Sequence, residues 1–342
     1  MASLRSRLAL ALIKKKLPGI VAADPVAELG DGLHVAIVGS GSPLPDEKRG
    51  NPCVAVIAGG KVYLVDAGEG ASETLNRMGI DAGRIELLLL THFHSDHIGG
   101  LGSVNLQRWV AEGSDTPMRV LGPPGVEEVV AGYNQAYRLD RGYRTAHHGE
   151  DFVDPEIGAM VPETFRVPGP GETNVVLDQD GLVVTAFEVD HSPVAPVVGF
   201  RFDYQGRSAV ISADTVYTEN LVTAAKNTDL LVHDALSEKL LLMVAQAQTE
   251  AGHQARGKIL ADVTDYHATA PQAADAAQKA GARALAITHI VPPLPLKGLE
   301  EVFLADAPKR FDGPLWMAND GDLYSLPVAG GLSRTNLIRR RR

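Results

Sequence analysis

The sequence contains a single cysteine, Cys53, and its N-terminal apolar stretch is short. One cysteine permits neither an internal disulfide nor a thiolate metal cluster, so metal ligands have to be histidines or carboxylates. The apolar stretch spans Leu8 to Ile13, which is too short for a bilayer span or for the core of a signal peptide. The following Lys14-Lys15-Lys16 lacks the small-residue cleavage pattern. We therefore expect no transmembrane span and a reducing, cytoplasmic location.

Positive charge is also scarce, with 32 basic against 42 acidic residues and a formal net charge of −10. Five of the cations, Arg334 and Arg339 to Arg342, fall in the last nine residues, which leaves 27 basic residues against 42 acidic ones elsewhere. A body that acidic repels phosphate backbones unless a local basic patch intervenes. This balance disfavours a general nucleic-acid binder, although it does not exclude nucleic acid as a partner.

The glycine-rich stretch Gly39-Ser40-Gly41 lacks the third glycine of a dinucleotide-binding fingerprint. Pro43 and Pro45 also prevent the helix that would receive a pyrophosphate. We interpret this stretch as a rigid turn after a strand.

What the sequence does contain is a dense group of metal-binding side chains. His92, His94, Asp96 and His97 lie within six residues, directly after the run Glu86 to Leu90, which predicts a buried strand. Imidazole and carboxylate are donors that zinc and similar divalent ions take, and packing alone does not call for four such groups so close together. This loop therefore predicts a metal site at the carboxyl end of a core strand.

Further donors follow other predicted strands. Strands ending near residues 190, 213 and 288 lead to His191, Asp214 and His289, and converging strand ends are where open α/β sheets gather their sites. The candidate ligands are His92, His94, Asp96, His97, His191, Asp214 and His289. Seven ligands exceed the four of one tetrahedral zinc, so we predict two zinc ions, with manganese or iron as alternatives.

Asp66 ends another predicted strand, where it can orient a metal ligand through a hydrogen bond. An Asx-turn capping the next helix is the alternative, and the two roles are compatible. The segment 134–154 predicts either a substrate-facing lid or an irregular surface segment. Its His147 and His148 are not expected to be ligands, because adjacent side chains on an extended segment point opposite ways.

The motif His92-Phe93-His94-Ser95-Asp96-His97 resembles the HxHxDH signature of the metallo-β-lactamase superfamily. The resemblance covers roughly residues 33 to 327. It implies an α/β fold of the αββα type, in which two mixed β-sheets lie face to face with helices outside. Asp66 to Gly70 and His267-Ala268-Thr269 are more similar to ribonuclease Z and its arylsulfatase-like relatives than to true β-lactamases.

The resemblance also implies roles for individual residues. It implies that His92, His94 and His191 hold one zinc, that Asp96, His97 and His289 hold the other, and that Asp214 bridges them. Asp96 would position a water activated between the metals, whose hydroxide attacks the ester. His267 would then donate a proton to the leaving group, from an exposed position before a helix that Thr269 caps, and Asp234 would orient His267.

The substrate expected from the sequence is a small molecule. Ribonuclease Z enzymes usually carry a long glycine- and proline-rich arm between the equivalents of His191 and Asp214, but here 22 residues separate them. Together with the acidic body, this favours hydrolysis of a small phosphodiester or sulfate ester. The alternatives are 3′ processing of precursor tRNA by a ribonuclease Z-type endonuclease and hydrolysis of a lactone.

Three parts of the chain are expected. Residues 1–32 form a helical extension, residues 33–328 the hydrolase domain, and residues 329–342 a basic, solvated tail. The extension is expected to pack on its own domain or to fray, and surface contact with a membrane is the alternative. Oligomeric state leaves no mark in the sequence, so a homo-oligomer stays open.

Overall fold

Two β-sheets form the centre of the molecule in a computed structural model that describes residues 3–112 and 114–340. The strands of the first sheet are β1 (Gly32–Gly39), β2 (Cys53–Ala58), β3 (Lys61–Val65), β4 (Ile85–Leu89), β5 (Arg119–Gly122), β6 (Val161–Thr164), β14 (Asp322–Pro327) and β15 (Ser333–Asn336). The strands of the second sheet are β7 (Asn174–Gln179), β8 (Leu182–Glu188), β9 (Val198–Tyr204), β10 (Arg207–Ile211), β11 (Leu230–Leu236), β12 (Leu285–Val291) and β13 (Leu315–Met317).

Both sheets are mixed. The first has the strand order β15-β14-β1-β2-β3-β4-β5-β6, and its pairs from β3 to β6 are parallel. The second has the order β13-β12-β11-β10-β9-β8-β7, and its pairs from β10 to β13 are parallel. The carboxyl ends of neighbouring parallel strands lie at the same edge of a sheet. Each sheet can therefore place several side chains close together.

Helices cover the outer faces of the sheets, except α1 (Leu4–Val21), which contains no buried residue. The other helices are α2 (Ala71–Met78), α3 (Ser95–Ile98), α4 (Leu101–Trp109), α5 (Val126–Ala136), α6 (Arg138–His148), α7 (Glu219–Ala224), α8 (Glu238–Glu250), α9 (Gln254–Asp262), α10 (Ala270–Ala280), α11 (Leu299–Leu304) and α12 (Leu337–Arg340). The predicted αββα sandwich is confirmed.

The core lies in three layers of apolar side chains, which explains why the strands are hydrophobic on both faces. On β1, Val35 and Ile37 point between the two sheets, whereas Ala36 and Val38 point outward towards α2. On β10, Ile211 faces the space between the sheets and Val210 faces the helices of the second sheet. Every core strand is therefore held in register by burial on both sides, since a slip by one residue would exchange its two faces.

Two expectations about the chain's segments are wrong. The segment 134–154 is not irregular, because it contains the end of α5 and the whole of α6. The predicted basic tail also begins too early, because Ser333–Asn336 pairs with β14 and α12 follows it. Arg341 and Arg342, which belong to the predicted tail, lie outside the described residues.

Candidate metal centre

The predicted donors meet at one end of the sandwich, where strands of both sheets finish. In the first sheet β3 leads to Asp66 and β4 leads to the loop with His92. In the second sheet β10 leads to Asp214, and His289 lies near the end of β12. Since β3 and β4 are parallel neighbours, as are β10, β11 and β12, the topology itself brings these positions together.

One group of donors consists of three histidines and a carboxylate. His92 Nε2 lies 3.1 Å from His94 Nδ1, and His191 Nε2 lies 3.4 Å from the same His94 atom. Asp214 Oδ2 is 3.9 Å from both His92 Nε2 and His191 Nε2. His92, His191 and Asp214 are buried, whereas His94 is partly exposed and can be reached from solvent.

The second group contains Asp96, His97 and His289. His289 Nε2 lies 3.3 Å from Asp96 Oδ2, and His97 Nε2 lies 3.6 Å from the same oxygen. Asp214 Oδ2 is also 3.2 Å from both His97 Nε2 and His289 Nε2. A single oxygen of Asp214 therefore touches both groups, which is the position of a bridging ligand.

Outer hydrogen bonds fix the orientation of two ligand rings. His97 Nδ1 donates to Asp66 Oδ2 at 2.8 Å, and His191 Nδ1 donates to the backbone oxygen of Tyr266 at 2.8 Å. A carbonyl oxygen and an ionised carboxylate can only accept hydrogen bonds, so each ring carries its proton on Nδ1. The lone pair on Nε2 then points into the cluster in the neutral ring, as a metal ligand requires.

Thr91 fixes the orientation of a third ligand ring, that of His92, through a hydrogen bond. Its hydroxyl donates to Asp66 Oδ2 at 2.8 Å and lies 3.0 Å from His92 Nδ1. Because the single hydroxyl proton goes to the carboxylate, the oxygen must accept from His92 Nδ1–H. His92 Nε2 therefore also directs a lone pair inward. Asp66 organises two ligands at once, and the role predicted for it agrees with this position.

The donor set fits divalent cations. Lone pairs of several neutral rings and the oxygens of two carboxylates face each other at 3.1 to 3.6 Å, which is repulsive unless positive charge lies between them. Four ligands around a zinc ion with bonds of about 2.0 to 2.1 Å are separated by about 3.3 Å, close to the spacings observed. The absence of thiolates agrees with zinc, manganese or iron.

Burial and the neighbouring charged groups shift the pKa values of several of these residues. Burial lowers the pKa of His92 well below its ordinary value. Burial also opposes the charged form of His97, but the carboxylates of Asp214 and Asp66 outweigh it and raise the pKa of His97 well above the usual range. Burial acts likewise against the charged form of Asp214, yet His289 and His97 hold its pKa well below the usual range. A proton on His97 thus supplies charge that a bound cation can replace.

Three residues at the site have backbone conformations that are unfavourable for residues other than glycine. Asp66, Ala213 and His289 have φ of 59°, 63° and 48°. The pairing of β11 with β12 shifts register between Asp234 and Ala235, so His289 is an extra residue that bulges out of the strand. Bulges and left-handed residues re-aim side chains, and their concentration here indicates that the fold tolerates local strain to place donors.

His267 lies beside the second group. Its Nδ1 is 2.9 Å from Asp234 Oδ2, and its ring stacks on the ring of His289 at a centroid distance of 5.1 Å. Nδ1 donates to the carboxylate, so Nε2 faces Asp214 and His289. The sequence predicted an exposed His267, and this is wrong. Hydrogen bonds from the Ala268 and Leu236 amides draw its loop onto the sheet, and His267 is 6% exposed.

Sequence reasoning missed three contributors to the site. Thr91 directly precedes the histidine motif, and the backbone oxygen of Tyr266 directly precedes His267, but neither has a pattern that marks its role. His233 is fully buried, and its Nδ1 lies 3.1 Å from Asp234 Oδ1. The one sequence feature that could have identified His233 is its position next to Asp234 on a hydrophobic strand.

The two adjacent histidines of α6 lie away from both groups. His147 and His148 are exposed near the end of that helix. The part of this region closest to the site is α5, where Gly125 packs against Phe93 and the Tyr133 hydroxyl donates to the backbone oxygen of Ile98 at 2.9 Å. Helix α5 and the residue before it therefore brace the motif loop.

Comparison with protein families matches residues 47–288 to the metallo-β-lactamase superfamily. A ribonuclease Z from Mycobacterium avium (strain 104) is 38% identical over 290 residues, which cover 84% of this chain and 96% of that one. A second ribonuclease Z, from Mycolicibacterium gilvum (strain PYR-GCK), is 37% identical over 302 residues.

Solved structures resemble the fold at lower identity. Human tRNase Z, short form, superimposes with a TM-score of 0.61 at 22% identity, covering 86% of this chain and 99% of that one. A metallo-β-lactamase fold protein from Bacillus subtilis gives a TM-score of 0.63 at 18% identity, covering 86% of this chain and all of that one. These two likenesses concern the arrangement of sheets and helices.

Proposed function

Because this chain belongs to the metallo-β-lactamase superfamily of metal-dependent hydrolases, we propose that it is a ribonuclease Z-type phosphodiesterase that removes the 3′ trailer of precursor tRNA. The observation that carries the proposal is the His267–Asp234 pair beside Asp214 and His289. The resemblance to ribonuclease Z assigns the proton donor to this histidine. The relatives that bear that name are matched over nearly their whole length.

The short connection between His191 and Asp214 does not oppose the proposal. It forms β9 and β10 with a tight turn and has no room for an arm. The Mycobacterium avium relative bears the name ribonuclease Z and is matched over 96% of its length. The preference for a small ester rested on the missing arm and on the acidic body, and the comparisons support the tRNA-processing alternative better.

Two divalent cations, for which zinc is the first candidate, would be held by His92, His94, His191 and Asp214 and by Asp96, His97, His289 and Asp214. Cations bound there supply Lewis-acid activation of water and neutralise charge on the phosphate oxygens. The acceptors Asp66, Thr91 and the Tyr266 carbonyl keep the ligand rings oriented. They also keep the donor nitrogens free of protons, which maintains affinity.

The chain's own groups move the protons of the reaction. Asp96 accepts a hydrogen bond from the attacking water, aligns it with the phosphorus atom and takes up the proton that the water loses as it attacks. The new bond joins the water oxygen to phosphorus, and the bond between phosphorus and the ribose 3′ oxygen breaks. His267 Nε2 donates the proton that the leaving 3′ oxygen takes up. Asp234 stabilises the imidazolium before transfer and holds Nε2 towards the cluster.

Cleavage of defined substrates tests the proposal. Zinc-loaded protein should release the trailer from a precursor tRNA with a short 3′ extension, leaving a 3′ hydroxyl on the tRNA. The same preparation should be assayed with bis(p-nitrophenyl) phosphate, an aryl sulfate and a lactone. His94→Ala should remove the tRNA activity, whereas His148→Ala, an exposed histidine on α6, should keep it.

The outcomes separate the candidate reactions. Specific cleavage at the trailer junction, lost in His94→Ala, supports tRNA processing. Turnover of the aryl sulfate or the small diester with an intact precursor tRNA would replace the proposal with a small-ester hydrolase. Equal tRNA cleavage by both variants would indicate a contaminating nuclease and refute the assignment of the metal centre.

A further inference from the structure

Helix α1 projects from the domain and has no packing partner among the residues that the structure describes. Every residue from Ser3 to Ala23 is exposed, and the helix contains no buried side chain. Eight of its side chains are large and apolar, with exposed fractions from 44% at Ile13 to 77% at Val21. Their positions are Leu4, Leu8, Leu10, Leu12, Ile13, Leu17, Ile20 and Val21. So much apolar surface on one element marks an interaction site.

The charge of this helix is opposite to that of the rest of the chain. Residues 3–23 contain five cations, which are Arg5, Arg7, Lys14, Lys15 and Lys16, and no acidic residue. The other residues of the chain hold 27 basic against 42 acidic side chains. A surface that receives α1 must therefore accept both apolar side chains and concentrated positive charge.

The apolar and the basic side chains of α1 are partly separated around the helix axis. At 100° per residue, Leu10, Ile13, Leu17, Ile20 and Val21 fall on one face about 100° wide that carries no charge. The five cations occupy the remaining surface. Leu4, Leu8 and Leu12 lie among those cations, so apolar side chains surround the whole helix.

We propose that α1 docks in the surface of an anionic lipid bilayer. A helix that lies in the bilayer surface buries its apolar face to a depth of about 5 to 10 Å at the boundary of headgroups and acyl chains, which covers the charge-free face of α1. Lysine and arginine then extend their flexible chains to the lipid phosphates. Juxtaposed anionic headgroups supply the negative charge that five cations require.

Other partners match fewer of these features. An apolar groove on a second copy of the chain would cover the charge-free face but would not itself supply the negative charge that the five cations require. RNA would neutralise the cations but would leave the five residues of the charge-free face uncovered, because nucleic-acid backbones are recognised through phosphate contacts. None of the helices in the described residues is both long enough and apolar enough to span a bilayer, so α1 lies on the surface.

The attachment point of α1 leaves the metal centre accessible. The end of the helix lines a groove with Gly79, Ile80 and Asp81, which precede β4. Asp24 then forms an ion pair with Arg84 at the amino end of that strand. The metal ligands follow the carboxyl end of β4, so a membrane-bound α1 holds the domain with its catalytic end facing away from the helix. This inference does not depend on which ester the site cleaves.

Vesicle co-sedimentation tests the proposal on the full-length protein. The probes are vesicles of phosphatidylcholine with about 30 mol% phosphatidylserine, and vesicles of phosphatidylcholine alone. We expect binding to the anionic vesicles that falls at least tenfold between about 50 mM and about 500 mM NaCl. Ile13→Glu with Leu17→Glu should reduce it at least tenfold. The matched control is Met243→Glu with Ile259→Glu, which exchanges two exposed apolar residues of α8 and α9 and should bind normally.

Each other outcome overturns the proposal. Equal vesicle binding by both double variants would place the contact elsewhere. Absence of vesicle binding, with a dimer in sedimentation velocity that Ile13→Glu and Leu17→Glu dissociate, would assign α1 to a second copy. Absence of vesicle binding, with a tRNA affinity that the same variant weakens, would assign it to RNA. Both variants should keep their esterase rate in solution, which verifies that the domain is folded.

Discussion

His267 and Asp234 form a buried hydrogen bond, with 2.9 Å between Nδ1 and Oδ2, although 33 positions separate them in the chain. The acid comes from β11 and the histidine from the loop before α10. Asp234 also lies 3.1 Å from His233 Nδ1 and accepts from the Thr215 amide at 3.4 Å. The carboxylate is therefore held from several sides, which restricts the ring of His267 to one orientation.

Replacing Asp234 by Asn should slow the reaction without emptying the metal centre. The amide no longer stabilises the imidazolium, and it can present N–H to His267 and favour the wrong tautomer. We expect kcat to fall by about 10² to 10⁴, with metal content close to wild type. Steady-state kinetics and elemental analysis measure the two quantities.

The matched control for this substitution is Asp229→Asn. Asp229 is a buried acid just before β11 and binds the Ser208 amide and Arg283. Its loss should lower the free energy of unfolding by about 1 to 3 kcal/mol while leaving kcat unchanged. If both variants lose activity in proportion to stability, Asp234 has a structural role and the assignment of His267 as proton donor fails.

Replacing Asp66 by Asn should weaken metal binding more than it weakens the fold. Asn tolerates the left-handed backbone at this position and can still accept from the Thr91 amide. It removes the negative charge that orients His97, and such outer partners are worth about 10- to 100-fold in metal affinity. Competition with a metal buffer measures the affinity. Asp66→Ala should cost about 1 to 2 kcal/mol more in stability, because alanine is strained at this φ.

The position of Asp214 between the groups predicts different metal stoichiometries for two ligand variants. Its Oδ2 touches donors of both groups, whereas His94 belongs to one. His94→Ala should therefore lose one equivalent of metal, and Asp214→Asn should lose affinity for both. Elemental analysis after dialysis against low metal distinguishes the cases. Equal losses in the two variants would contradict a shared carboxylate.

The sequence predicted these ligands because each follows a hydrophobic strand, and strand ends converge in an α/β sheet. It could not predict how the seven donors divide, since that division depends on distances across the two sheets. The bulge that directs His289 towards the other ligands also cannot be predicted from the sequence, because Thr288, His289 and Ile290 continue an ordinary strand pattern. The division of the ligands between two metal ions came from the resemblance to the metallo-β-lactamase superfamily, because the spacing of the ligands in the sequence does not determine it.

The helix α6 was missed for a physical reason. Its apolar residues Leu139 and Tyr143 are exposed, so no stripe of buried positions marks the helix in the sequence. Local pairs such as Asp140 with Arg144, one turn apart, contribute to its stability instead. The exposed position predicted for His267 failed because the contact between the ends of β11 and the loop before α10 is not local.

The last prediction concerns protein from which metal has been removed. The pKa of His97 is raised there, since Asp214 and Asp66 outweigh the effect of burial. A raised pKa contributes stability that is fully present below the unfolded value of about 6.5 and is lost as the pH rises through the folded value. Metal-free protein should therefore become easier to unfold above about pH 6.5, by up to about 1.4 kcal/mol per pH unit for this proton.

Urea unfolding from pH 6 to pH 9 measures this slope. His97→Gln should reduce it by the contribution of one proton, because glutamine does not titrate. His34→Gln should leave this slope unchanged. Burial lowers the pKa of His34, so this group affects the free energy of unfolding only below about pH 6.5, where stability rises with pH. Metal-loaded wild type should show no such loss, because the cation replaces the proton as the partner of Asp214. An unchanged slope in His97→Gln would contradict the ion pairs assigned to this residue.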